Sequence, residues 1–315
     1  MRRWLAAAMA ALTLTGCTAA YDDDGELAVA GAFGTAVAPD DDATPVVVDT
    51  DLAGDDLVAL AYLLRRPDVR VVAVTVAGTG LVGCDPGVDL VADLVHALGA
   101  GSVAVACGRE DPARQWPAAW REREAKAPGL PRLDTTFVAR SEPAPLLIAK
   151  LAASTDDLHV VALGPLSNLA DFADRWPQDY RRIVEIWSMA GAVDVQQSAE
   201  VAEWNAAADP AALATVLAGP VPVTLVPDDP VPAGRPEALS APVIGGIAAA
   251  SDYPKWWDTS TAAAFTEPSL VTGRTGTWTV DDSGRLTRTG KGSTTVVTTV
   301  DQAALDATLA EAFAR

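Results

Sequence analysis

Residues 46–78 read VVVDTDLAGDDLVALAYLLRRPDVRVVAVTVAG, and this stretch decides the fold. Val46, Val47 and Val48 make a β-branched run that stops at Asp49-Thr50-Asp51. Leu57, Leu60, Ala61 and Leu64 then recur at helical spacing, and VRVVAVTV at 69–76 is a second β-branched run. Strand, helix and strand in that order form a βαβ unit, whose two strands are parallel.

The alternation continues outward. VDLVADLVHALG (88–99), PAPLLIAKLAAS (143–154), PLSNLADFADRW (165–176) and DPAALATVLAG (209–219) read as helices. SVAVACG (102–108), LHVVALG (158–164), RRIVEIWSMAG (181–191) and VPVTLVP (221–227) read as strands, the first followed by a Trp- and charge-rich stretch at 109–140. Nearly continuous apolar strands predict an α/β fold: a mostly parallel, Rossmann-like open sheet covered by helices on both faces. GTWTVDDSGRLTRTGKGSTTVVTTV (276–300) predicts antiparallel hairpins around Asp-Ser-Gly and Gly-Lys-Gly, and DQAALDATLAEAFAR (301–315) a last helix.

The N-terminus has a different character. Residues 1–17, MRRWLAAAMAALTLTGC, place Arg2 and Arg3 ahead of an apolar run too short for an ordinary membrane span, the layout of a secretory signal. Its end, Leu14-Thr15-Gly16-Cys17, resembles the bacterial lipobox, which implies acylation of Cys17 and tethering to the outer face of the cytoplasmic membrane. Residues 18–44 hold seven acids and no Lys or Arg, and read as a solvated acidic tether. The organisation expected is therefore signal 1–17, tether 18–44 and one domain from 45 to 315.

The 315 residues carry 42 Asp plus Glu against 23 Lys plus Arg, a formal charge of −19. So acidic a surface repels phosphate backbones, and nucleic acid is excluded as a partner. His96 and His159 are the only histidines, too few for a histidine-built zinc site. Cys84 and Cys107 follow predicted strands at one edge of the sheet and either bridge, as an exported chain allows, or remain two thiols.

In an open parallel sheet ligands bind beyond the carboxyl ends of the strands. Asp49, Asp51, Asp55 and Asp56 crowd four carboxylates into eight residues at the end of the first strand. Helix capping accounts for Asp55 and Asp56 but leaves Asp49 and Asp51 without a purpose; a hard divalent cation with oxygen ligands compensates all four.

At these residues the sequence resembles the inosine-uridine nucleoside hydrolases. VVVDTDLAGDDLVALAYLL is similar to that family's N-terminal aspartate signature. Gly164-Pro165-Leu166-Ser167-Asn168, Met189-Ala190-Gly191, Glu203-Trp204-Asn205 with Asp209-Pro210, Asp258 with Glu267-Pro268-Ser269, and Gly284-Arg285-Leu286-Thr287 resemble its later motifs in order. The resemblance implies Ca²⁺ held by Asp51, Asp56, the main-chain carbonyl of Leu163 and Asp258. It also implies Asp51 as the catalytic base for a water that attacks the N-ribosidic bond, and a sugar held by Asp55, Glu203 and Asn205, with Met189 and Gln197 nearby. The expected partner is a small nucleoside, the expected role its salvage, and a homo-oligomer is left open.

The chain departs from the family at Thr79, a shorter side chain where a ribose-binding Asn is usual, and at Trp257, where many members place the His that protonates the leaving base. His96 and His159 sit in predicted elements and do not substitute. Stacking of the base on Trp257, Trp116, Trp120 or Trp256 offers another route to leaving-group activation, and favours purine ribosides. The alternative is a catalytically impaired nucleoside- or ribose-binding lipoprotein of the same fold. Asp49-Thr50-Asp51 also mimics the Asp-x-Asp of haloacid-dehalogenase phosphatases, but Ala53 stands where those enzymes need Thr or Val.

Overall fold

The computed structural model describes residues 36–100, 103–127, 129–130, 142–240 and 244–314. The expected signal segment with Cys17 and most of the tether lie outside them. β1 (Thr44–Thr50), α1 (Gly54–Leu63), β2 (Val69–Val76), α2 (Cys84–Ala97) and β3 (Ala104–Cys107) make the first half of the sheet. α3 (Ala118–Glu124) lies in the Trp-rich connection, and α4 (Ala144–Ser154) leads into β4 (His159–Ala162). α5 (Ser167–Arg175) and α6 (Pro177–Tyr180) precede β5 (Ile186–Met189), and α7 (Trp204–Ala208) and α8 (Pro210–Ala218) precede β6 (Val223–Val226). α9 (Gly245–Ala250), α10 (Trp257–Thr266), β7 (Val271–Val280), β8 (Leu286–Val300) and α11 (Gln302–Ala314) follow.

The eight strands form one sheet in the order β3-β2-β1-β4-β5-β6-β8-β7, parallel except for the β7–β8 pair. Side chains alternate across it. Val46 and Val48 enter the core shared with α1, α2 and α9–α11, whereas Val47 enters the core shared with α4, α5 and α8. All three valines are fully buried, each contributing about 1.5–3 kcal/mol of transfer free energy. β2 and β3 lie on one side of β1 and β4–β6 on the other. The strand order therefore reverses between β1 and β4, and the crevice beyond their carboxyl ends is where a ligand fits.

Two expectations are corrected. The C-terminal strands form one long hairpin, not two: its turn is at 281–285, with Gly284 at φ +85°. Gly290-Lys291-Gly292 instead lies inside β8 at a register shift, where Thr277 pairs with Gly290 and Gly276 with Thr294. A glycine pair is equally the signal of a bulge. The folded part also begins before residue 45. The Ala36 and Val37 N–H groups donate to the carbonyls of Leu98 and Leu64, at the ends of α2 and α1, and Asp40 N–H to Pro67. Those helix ends carry unsatisfied carbonyls that any passing N–H can meet, although Asp40, Asp41 and Asp42 are exposed as their composition suggested.

Cys84 and Cys107 are joined by a disulfide between the start of α2 and the end of β3. Among the described residues no helix is long and apolar enough to cross a membrane.

Candidate active site

The turn from β1 into α1 shapes the crevice. Leu52, buried and β-carbon-bearing, sits at φ +66° in the left-handed region, a costly conformation that reverses the chain between Asp51 and the first turn of α1. Asp51 is packed between two glycines. A Cβ at Gly80 would lie 2.1 Å from the Asp51 Cβ, and one at Gly164 would lie 2.9 Å from it, so both neighbouring loops must lack side chains there.

Of the four clustered acids, three reach the crevice. Asp49 points, with Val47, to the α5 side, where its Oδ1 accepts from Thr75 Oγ1 at 2.6 Å and Asn168 Nδ2 at 2.7 Å. It ties β1 to β2 and α5 rather than joining the site. Asp51 Oδ2 accepts from the Leu81 N–H at 2.8 Å, and Asp56 Oδ1 accepts from Thr50 Oγ1 at 2.5 Å and from the Asp51 N–H at 3.2 Å. Asp258, in the first turn of α10, comes against α1, and its N–H donates to Asp55 Oδ2 at 3.3 Å.

Oxygens of Asp55, Asp56 and Asp258 lie within 4.8 Å of one another, all buried. Burial, reinforced by the neighbouring Asp56 charge, pushes Asp55 up to about 7, and burial lifts Asp56 to about 6. Asp51 and Asp258 are held well above the ordinary carboxylate range by burial and by the Asp56 charge. Asp56 Oδ2 and Asp258 Oδ1 have no hydrogen-bond donor. Buried carboxylate oxygens without donors, facing one another, need protons or a cation, and an all-oxygen set suits Ca²⁺. Asp55 joins Asp56 and Asp258 in this group, Asp51 lies close enough to feel the charges of Asp55 and Asp56, and the Leu163 carbonyl is engaged by Asn205 Nδ2 at 2.7 Å, keeping one lone pair.

The far wall comes from β5, α7 and the loop before it. Glu203 caps α7, its carboxylate accepting from the N–H groups of Asn205 at 2.7 Å, Ala206 at 2.9 Å and Gly191 at 2.7 Å, while burial pushes it up to about 7. Met189, Gln197, Glu203 and Asn205 line the same cavity of about 540 Å³ as Asp51, Asp55, Asp56, Asp258 and Trp257. Thr79 does not. Its hydroxyl is bonded to Ser167 at 2.6 Å in a buried chain running on through Asp209 to Arg109, and its carbonyl accepts from the Trp116 indole.

The aromatic wall differs in membership from expectation. Trp116, Trp120 and Trp257 line the cavity, but Trp256 is fully buried in the core, because consecutive residues entering α10 face opposite ways. Trp204 stacks on Trp116 at 5.3 Å between ring centroids and meets Trp120 edge-on at 5.4 Å. Sequence reasoning missed Trp204, Tyr253, Lys255 and Asp228 as lining residues. Trp204 was legible as the neighbour of Glu203 and Asp228 as an acid just past the β6 run; Tyr253 and Lys255 lie in an irregular loop with no periodicity to follow. His96 in α2 and His159 at the start of β4 stand outside the cavity, as expected.

A family model described as inosine-uridine preferring nucleoside hydrolase matches residues 46–307. The pyrimidine-specific ribonucleoside hydrolases RihA of Citrobacter koseri and Salmonella schwarzengrund are each 29% identical over 188 residues, 58% of this chain. The chain spans 59% and 60% of their lengths. Among solved structures, an inosine-uridine preferring nucleoside hydrolase from Bacillus anthracis superposes with a TM-score of 0.77 at 21% identity, covering 86% of this chain and 99% of that one. A purine-preferring ribonucleoside hydrolase from Gardnerella vaginalis gives 0.75 at 20% identity, covering 86% and 98%. These two structures share its fold.

Proposed function

Because the chain belongs to the inosine-uridine preferring nucleoside hydrolases, we propose that it hydrolyses the N-glycosidic bond of ribonucleosides, purine ribosides best, in a Ca²⁺-dependent reaction that releases ribose and the free base. The observation that carries the reading is the pair of donorless buried oxygens, Asp56 Oδ2 and Asp258 Oδ1, on the floor of an aromatic-walled cavity. Asp56 and Asp258 would hold the ion together with Asp51 and the free lone pair of the Leu163 carbonyl. When bound, such an ion acidifies a water and grips vicinal sugar hydroxyls.

The chain's own groups supply the rest. Asp51, pinned through Oδ2 by Leu81, takes the proton of the attacking water as its oxygen bonds to the anomeric carbon. Asp55 and Glu203 accept from ribose hydroxyls, and Asn205, whose amide bridges the carbonyls of Leu163 and Met189, fixes the sugar's height above the sheet. Trp257 offers a face to the base, while Trp116, Trp120 and Trp204 narrow the mouth and exclude water. Asp51, Asp55, Asp56, Glu203, Asp228, Asp252 and Asp258 line the cavity against Lys255 and Arg123, an excess of acids that disfavours a phosphorylated ligand.

The test is direct: incubate the protein with a panel of ribonucleosides and Ca²⁺ and assay reducing sugar. Ribose release that is lost in chelator and restored by Ca²⁺ is the expected result; no release from any riboside refutes the reading. We further propose export and anchoring through an acylated Cys17, for which the intact mass of the mature native protein, beginning at Cys17 with added lipid, is the check.

A further inference from the structure

We propose that Lys255 is the proton donor to the leaving base, a role for which the chain has no histidine. The proposal rests on the hydrolase reading above. Lys255 lines the cavity with its side chain mostly buried, and Nζ donates to Asp228 Oδ1 at 2.7 Å and to the Asp228 carbonyl at 2.6 Å. An ammonium has three N–H groups, so one is left for an acceptor in the cavity. The same Asp228 Oδ1 accepts the Trp257 indole N–H at 2.8 Å. One oxygen thus holds the ammonium at the edge of the ring on which a base would stack, and a base lying on Trp257 presents its ring nitrogens and carbonyls to Nζ.

The surroundings fix this geometry before any ligand arrives. Asp228 is buried beyond the end of β6, its N–H bonded to the Gly191 carbonyl at 2.9 Å. Lys255 pairs through its backbone with Ala233, and the Gly234 N–H donates to the Pro254 carbonyl at 2.7 Å. The other proton-bearing groups on this wall are committed. Arg123 Nε is bonded to Glu124 at 2.6 Å with its guanidinium over the Tyr253 ring, and the Tyr253 hydroxyl is held between the Gly54 N–H and Glu124.

In the reaction the C1′–N bond breaks with both electrons passing to the base. The water oxygen bonds to C1′, one water proton goes to Asp51, and one proton passes from Lys255 to the base. Asp51 and Lys255 then recover their starting states by exchange with solvent, and the products are ribose and neutral base.

A donor to the leaving group matters in proportion to how badly that group leaves. The experiment compares inosine, whose base departs poorly as an anion, with 4-nitrophenyl β-D-ribofuranoside, whose phenolate departs unaided. Lys255→Met should lower kcat/KM for inosine about 100-fold and for the nitrophenyl riboside at least tenfold less, and Lys255→Arg, a cation that does not give up its proton, should not restore the inosine rate. An equal loss on both substrates overturns the proposal, since a positional or folding defect slows both. Should Lys255→Met fail to fold, Lys255→Gln, read the same way, decides. If the unaltered protein cleaves neither riboside, the hydrolase reading itself has failed, whereas activity with no substrate-dependent loss sinks Lys255 alone.

Discussion

Without the proposed divalent cation this protein should become less stable as pH rises, opposite to the usual behaviour of carboxylates engaged in ion pairs. Asp55 is held at about 7 by burial and by Asp56, against 3.8 in an unfolded chain. The native state therefore keeps a proton that the unfolded state has released, and stability falls with rising pH between those two values. Three units at 1.36 kcal/mol each put about 4 kcal/mol at stake for Asp55 alone. Between pH 5 and 7.5 about 2.5 kcal/mol of this is lost, a fall of roughly 5–10 °C in melting temperature for a domain this size. Ca²⁺ at a thousandfold excess over its dissociation constant would return about 4 kcal/mol. The assay is a thermal melt across pH 5–7.5 in chelator and again in Ca²⁺. Asp49 and Glu203, also pushed up to about 7 by burial, slope both curves equally, so the difference between the curves isolates the cation site. Acids held low, such as Asp281 beside the Ser283 hydroxyl, finish titrating below this window. Two curves that run parallel throughout would refute a cation held beside Asp55 by Asp51, Asp56 and Asp258.

Three further outcomes follow from named contacts. Asp56→Asn should abolish ribose release yet raise the melting temperature of the chelated protein at pH 7.5, because it removes a charge that Asp51, Asp55 and Asp258 all oppose; a lower melting point in chelator would contradict the repulsion argument. Gly80→Ala, whose new Cβ meets Asp51 at 2.1 Å, should cut kcat about 100-fold by displacing the base, and an unchanged kcat would show that Asp51 need not be held there. Asn168→Ala leaves Asp49 Oδ1 short of one donor in a fully buried site and should cost about 1.5–3 kcal/mol in a denaturant melt; a cost near zero would mean that Asp49 is not charged or strained there.

Much of the architecture was legible in residues 46–78 and the alternation beyond them, since strand and helix periodicities are local and a parallel sheet follows from buried runs joined by helices. The crevice was legible too, because a reversal of strand order places function after β1, and the order of later motifs pointed to Asp258, Glu203 and Asn205. What the chain alone left open are questions of direction and of distance along the sequence. Asp49 and Asp51 look alike in a string, yet Asp49 follows Val47 on the pleat toward α5, where Thr75 and Asn168 receive it, whereas β1 ends at Thr50 and Asp51 turns with the Leu52 bend into the crevice. Trp256 and Trp257 are adjacent, yet the entry into α10 sends one to the core and the other to the cavity. Asp55 and Asp258 stand 203 positions apart and meet only because α1 packs against α10. Lys255 and Asp228 lie in loops without periodicity, and only the packing of two irregular segments past the end of β6 brings an ammonium to the edge of Trp257.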